Sequence, residues 1–205
     1  KIPGNNEIRE FFFPRDLNHS CVGCYKCIED EKECPYYEEK KVILDVIEDA
    51  DVLIVTTPTY CSHVSAPLKA FIDLTFDYWM SHRPRKCMFS KRAVIVSTSA
   101  GSSPKSAMKD VEDALFYLGV PSITKYGIAV QEMNWDGVRI SKKEKIDKDT
   151  SRIAARLSRR EKPHVGIKTR FIFHMMRMMQ KSGWGSSPVE KEYWEKNGWF
   201  GKNRP

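Results

Sequence analysis

No apolar run in this sequence approaches the length that a membrane-spanning helix needs, so a helical span is excluded. Internal repeats are absent, which sets aside solenoids and propellers. There is no nucleic-acid motif beside the basic residues, so nucleic acid is not an expected partner. The chain opens on Lys1 with no initiator Met, and no charged-then-apolar signal pattern follows. The expectation is therefore a cytoplasmic protein. What is present suits a globular domain with an extension: 205 residues, 41% hydrophobic and 30% charged.

The charge of +7 is unevenly spread. Between Arg139 and Lys181 stand fourteen Lys or Arg against four Asp or Glu, a local balance of +10. The remainder is mildly acidic. A basic tail of this kind suits nucleic acid, an acidic membrane surface or an anionic nicotinamide cofactor. A plainly solvated helix face accounts for it equally, and that reading or cofactor docking is preferred.

Strands and helices alternate. Ile8–Phe13 is apolar, ends at Pro14 and predicts a strand. From Tyr36 the pattern turns helical, with Val42, Ile43, Val46 and Ile47 on one face. Residues 51–57 form an unbroken apolar run, as in a parallel strand covered on both sides. Leu68, Phe71, Ile72, Thr75, Phe76 and Trp79 mark a second helix, with Pro67 near its start. Residues 92–98 predict another buried strand. Ser103 and Pro104 then resemble a helix start, and Gly119 its end. A weaker strand covers 123–130, and helices are expected over 141–160 and 167–181. The order β-α-β-α-β-α-β predicts a parallel sheet, with ligands beyond the C-terminal ends of its strands.

Two loops lie at that end. One follows the strand at Thr57 and holds Pro58, Thr59, Tyr60, Cys61, Ser62, His63 and Ser65. It offers backbone amides and an aromatic ring where a flat heterocycle would want both. The other contains Ser97, Thr98, Ser99 and Gly101 ahead of a helix N-terminus. A strand-ending turn and a helix cap would leave the same traces. His63 is a candidate ligand neighbour, although a lone His near a loop is more often structural.

Four of the six cysteines fall in Cys21-x2-Cys24-x2-Cys27-x6-Cys34-Pro35. This spacing is one that ligates cubane iron–sulfur clusters. A four-thiolate zinc site and reduced, empty thiols are the competing readings.

The stretch Pro58, Tyr60, Ser62, Ser65, Leu68, Lys69, Ala70, Phe71, Ile72, Asp73, preceded by Ala50-Asp51, resembles NADPH-dependent FMN reductases and iron-sulfur flavoproteins. One departure is Leu74, where that family usually has Arg. A second is the last cysteine gap, slightly longer than the family's. The aromatic end Tyr193–Trp199 also recurs in this flavoprotein group. The resemblance implies a flavodoxin-like three-layer α/β sandwich over residues 1–135, with a basic, aromatic extension at 136–205. It implies FMN as prosthetic group, contacted by Pro58, Thr59, Tyr60, Ser62, His63, Ser65, Ser97, Thr98, Ser99 and Gly101. A [4Fe–4S] cluster on Cys21, Cys24, Cys27 and Cys34 and NAD(P)H as co-substrate complete the set. A small-molecule or protein electron donor and acceptor would be the partners. A non-enzymatic carrier like flavodoxin is the rival reading. The family's phosphate loop follows a first strand that this chain does not show, so one β-α unit is expected to be absent from it. Finally, the Met-rich face at 171–179 with Trp184, Trp194 and Trp199 predicts a homodimer or homotetramer.

Overall fold

The computed structural model describes residues 2–159, 162–203 and 205. Three parallel strands form the sheet, in the order β1 (Val52–Pro58), β2 (Arg92–Ser99), β3 (Ser122–Ala129). Val52 lies opposite Arg92, and Arg92 opposite Ser122. Helices supply the crossovers: α3 (Ala66–Leu74) leads from β1 and α4 (Lys105–Tyr117) joins β2 to β3. Ahead of the sheet come a short α1 (Lys26–Glu29) and α2 (Tyr37–Asp49). Behind it come α5 (Ile140–Leu157), α6 (Ile167–Ser182) and α7 (Pro188–Lys196). This is the parallel α/β architecture that the alternating pattern predicts, within a residue or two at most boundaries.

Alternation along β2 decides where the core lies. Ala93 and Ile95 join Leu53, Leu68, Phe71, Val111 and Leu115 in the larger apolar cluster. A second cluster gathers Met80, Phe89, Val165, Phe173, Trp194 and Trp199. Trp194 and Trp199 are thus interior residues, and only Trp184 of the three tryptophans is exposed. The extension folds over the chain's own core, which removes two of the side chains on which the expected oligomer rested.

Other expectations need correction. Ile8–Phe13 is not a strand. Its backbone groups are taken locally: the Phe12 N–H donates to Asp16 Oδ2 at 2.6 Å, and the Asp16 N–H donates to Phe12 O at 2.9 Å. Phe11 and Phe13 pack half-buried against the core without a ladder, Phe13 stacked on Phe71 at 4.8 Å, while Phe12 stays exposed. The order is therefore α-β-α-β-α-β. Nor is β1 covered on both sides: Ile54 is 60% exposed. Among the described residues, no strand pairs with the outer edge of β1.

The buried face of α2 is also rotated. Val42 points outward, while Lys40, Ile43 and Leu44 point in. Lys40, 2% exposed, is drawn inward by Asp77, 0% exposed. Its Nζ lies 2.9 Å from Asp77 Oδ1 and donates to Leu74 O at 3.2 Å. A buried ion pair contributes little net stability against an apolar substitute, but removing one partner strands the other charge. Lys40→Met should therefore lower the unfolding free energy by about 3–5 kcal/mol. Urea denaturation reads this directly, and a loss below about 1 kcal/mol would show that Asp77 is neutral or otherwise satisfied.

Candidate functional site

Both candidate loops leave the C-terminal ends of adjacent strands. After β1 the Thr59 N–H reaches across to Thr98 O at 2.8 Å, extending the ladder by one rung. The chain then makes a miniature hairpin. Tyr60 and His63 exchange both backbone hydrogen bonds, at 3.1 and 2.9 Å. Between them Cys61 and Ser62 have φ of 49° and 69°. Positive φ at both central positions is the type I′ signature, usually given to Asn and Gly, and it costs energy in these two residues. What holds the turn is Asp110 of α4. Its Oδ2 accepts from the Val64 N–H at 3.1 Å and lies 3.0 Å from His63 Nδ1. Tyr60, Cys61, Ser62 and His63 are all exposed on this fixed tip.

Beneath the tip lies a layer of buried hydroxyls. Thr57 Oγ1 accepts from the Ser65 N–H at 3.2 Å and lies 3.3 Å from Ser65 Oγ. Thr59 Oγ1 and Ser97 Oγ are 3.0 Å apart. Ser99 Oγ donates to Ser102 O at 2.5 Å, which curls the second loop back on itself. Ser65, Ser97 and Ser99 are buried. They shape the loops, whereas Tyr60, Ser62, His63, Thr98 and Gly101 form the exposed rim. Pro58 and Thr59 lie between the two layers. The structure thus brings the ten predicted residues to one end of the sheet and divides them by depth. An exposed ring, a fixed turn and a loop ahead of a helix N-terminus stand together at this end of the sheet.

Two residues of the site escaped sequence reasoning. Asp110 carries no sequence signal, since it is one of several acids on an ordinary amphipathic helix. Gly127 does carry one, because an isolated Gly inside a strand marks a close approach. A Cβ there would lie 2.5 Å from Pro104 Cγ and 2.7 Å from Met108 Cε. Gly127 therefore leaves room for the end of the Ser99–Pro104 loop. Gly127→Ala should cost roughly 1–3 kcal/mol of stability through overpacking. A thermal shift measurement checks it, and an unchanged melting temperature would mean that the loop is not seated on this strand.

The cysteine segment is arranged differently. Cys21 and Cys24 are exposed, Cys27 and Cys34 half-buried, and all four are free thiols. Among the described residues, no three Cys, His, Asp or Glu side chains converge as metal ligands would. In this arrangement the cysteines do not fit a cluster. The segment is nonetheless tied down from below. Arg83 donates to the carbonyls of Cys27 and of Ile28, the latter at 3.2 Å. Its guanidinium also lies 3.7 Å from Asp77 Oδ2. Burial, and after it the charge of Asp77, push the Cys27 thiol up to about 11. A raised thiol pKa means less thiolate at any given pH. In metal-free protein at about pH 8, iodoacetamide should therefore label Cys21 and Cys24 first and Cys27 roughly a hundred times more slowly. Equal rates by mass spectrometry would show that the segment opens freely.

With this geometry in view, comparison places the chain. Residues 7–134, more than half of it, match the model of the NADPH-dependent FMN reductase family. The chain belongs to that family. It is 30% identical over 104 residues to an iron-sulfur flavoprotein of Methanocaldococcus jannaschii, covering 48% of this chain and 49% of that protein. Against an FMN-dependent NADH:quinone oxidoreductase of Hydrogenovibrio crunogenus it is 28% identical over 153 residues, covering 67% and 74%. The chain thus spans about half of the Methanocaldococcus relative. Among solved structures it is similar to an FMN-dependent NADH-azoreductase of Bacillus anthracis, with a TM-score of 0.49, 16% identity and 64% and 66% of the two chains covered. The match to the FMN reductase model takes in both loops, β1 to β3 and the cysteine segment.

Proposed function

We propose that this FMN reductase family member takes electrons from NAD(P)H and passes them to a small-molecule or protein acceptor through FMN. The observation that carries the reading is the fixed Tyr60–His63 turn beside the Ser99–Ser103 loop, at the shared C-terminal end of β1 and β2. When bound, FMN supplies the hydride acceptor. The chain's own part is to hold and shield. Tyr60 offers a flat exposed ring, and the rim hydroxyls and amides offer partners for a heterocycle's polar edge. Asp110 keeps the turn in its strained conformation, so little ordering remains to be done when a ligand arrives. No side chain here is assigned as acid or base, because the hydride chemistry needs none from the protein.

The [4Fe–4S] reading stands apart from this. Among the described residues the four cysteines do not converge. Iron and sulfide analysis of anaerobically prepared protein reads the question directly. About four irons per chain would require the segment to close around the metal.

The test uses the full-length protein loaded with FMN. Absorbance bands near about 370 and 450 nm and steady-state oxidation of NADH or NADPH with a quinone or dye acceptor are expected. Asp110→Ala removes a carboxylate that accepts at the base of the turn. It should weaken FMN binding roughly tenfold while leaving the fold intact. Flavin binding without turnover, beside fast one-electron exchange, would instead establish a carrier like flavodoxin.

A further inference from the structure

Helix α6 has two unlike faces. On one, Phe173 and Gln180 are buried, and Ile172 and Met176 pack toward Trp194 and Trp199. On the other, Ile167, Phe171, Met175 and Met178 follow the spacing of a single helix face. All four are exposed, Phe171 at 65% and Met178 at 60%. Just past the helix, Gly183 adopts φ of 73° and the Trp184 N–H donates back to Met179 O at 3.2 Å. This turn leaves the Trp184 ring 74% exposed. Five large apolar side chains within eighteen residues are more than scattered surface hydrophobes.

The borders of this stripe are cationic. Lys168 flanks one side, and Arg170 and Lys181 flank the other; all three are exposed. From Lys162 to Val189 the sequence contains no Asp or Glu. Among the described residues, Lys168, Arg170 and Lys181 join no ion pair. Elsewhere on the surface, by contrast, lysines are paired at i,i+4, as in Lys41–Asp45 and Lys109–Asp113.

These features select an occupant. In a two-fold contact between copies of this chain, the stripe would meet itself. The cationic borders would then face their own duplicates with no acid to separate them. An anionic bilayer has the opposite character. It takes apolar side chains a short way below its headgroups and sets negative charge at the level of the flanking cations. It also needs no shaped groove, and exposed Trp favours the boundary between apolar and wet. No helix among the described residues is long and apolar enough to cross a membrane, so the contact is peripheral.

We infer that α6, with Trp184, docks on an anionic lipid surface and lies along it on its Ile167–Phe171–Met175–Met178 face. The Tyr60–His63 turn and the Ser99–Ser103 loop lie outside α6, so this contact is independent of the proposed redox activity.

Co-sedimentation of the full-length protein with vesicles tests it. One set is pure phosphatidylcholine, and the other carries roughly one third phosphatidylglycerol. Binding to the anionic vesicles should be at least about tenfold tighter and should weaken as salt rises. The double variant Phe171→Glu, Met178→Glu should reduce it by a further factor of about ten or more. Both positions are exposed, so its circular dichroism and melting temperature should stay unchanged, and these verify that it folds. Absence of binding to either vesicle, or binding that the double variant leaves intact, overturns the inference. So does light scattering that shows a dimer split by the double variant, because the face would then belong to a second copy.

Discussion

Asp77 is a carboxylate with no access to water, and the whole irregular segment around it is organised by that fact. It meets Lys40 of α2 at 2.9 Å and Arg83 at 3.7 Å. A charge buried this deeply is tolerated only beside opposite charge and hydrogen-bond donors. Its two cationic partners are therefore committed. Lys40 also closes the end of α3 through Leu74 O, and Arg83 holds the cysteine segment through its carbonyls. Removing the carboxylate would leave two buried cations facing one another.

The same segment serves as the socket for the C-terminal helices. Irregular backbone that is covered must find partners outside itself. Here they come from a distance in sequence. Gln180 Nε2 donates to Ser81 O, Trp194 Nε1 to His82 O and Tyr193 Oη to Pro84 O, at 2.8, 2.6 and 2.8 Å. Glu190, buried at the start of α7, lies 2.6 Å from His82 Nδ1 and also closes a capping box with Ser187. Residues 77–85 thus join three parts that are far apart in the chain: the cysteine segment, the sheet's helices and the aromatic end. The bonds of Gln180, Tyr193 and Trp194 have no local signature, because each is a single side chain reaching one distant carbonyl.

Legibility in the sequence followed periodicity. Strands β1 and β2 and helices α3 to α6 show it plainly and β3 more weakly, since an apolar pattern repeated over many residues outweighs local noise. Ile8–Phe13 shows an apolar pattern too, but Asp16 captures its backbone, and Phe11 and Phe13 pack half-buried on the core from a loop. The two rim loops were readable because Pro58 and the Ser99–Ser103 run sit where strands end. Their division by depth was not. Ser65, Ser97 and Ser99 are indistinguishable in sequence from Ser62, yet the first three are buried and Ser62 is exposed on the turn. Asp110 and Lys40 were hidden for a related reason. A charged residue on a helix reads as solvated unless its partner, over thirty residues away in both cases, is known.

Charge follows the same logic and separates two helices that composition treats as one basic tail. On α5 several cations are occupied within the chain. Lys145 pairs with Asp149 at 2.6 Å, Arg152 lies 3.6 Å from the same carboxylate, and Lys142 donates to the carbonyls of Ala129 and Val130. The Lys142 contacts fasten α5 to the end of β3, and the Asp149 pairs neutralise charge within the helix. On α6 no such pairing within the helix is possible, since no Asp or Glu stands between Lys162 and Val189. A net charge of +7 therefore understates the asymmetry, since part of it is neutralised locally and part is left on one helix face. Electrostatic fields act through the uncompensated part. Beside an apolar stripe, that part leaves α6 with a face on which both charge and burial remain unsatisfied among the described residues.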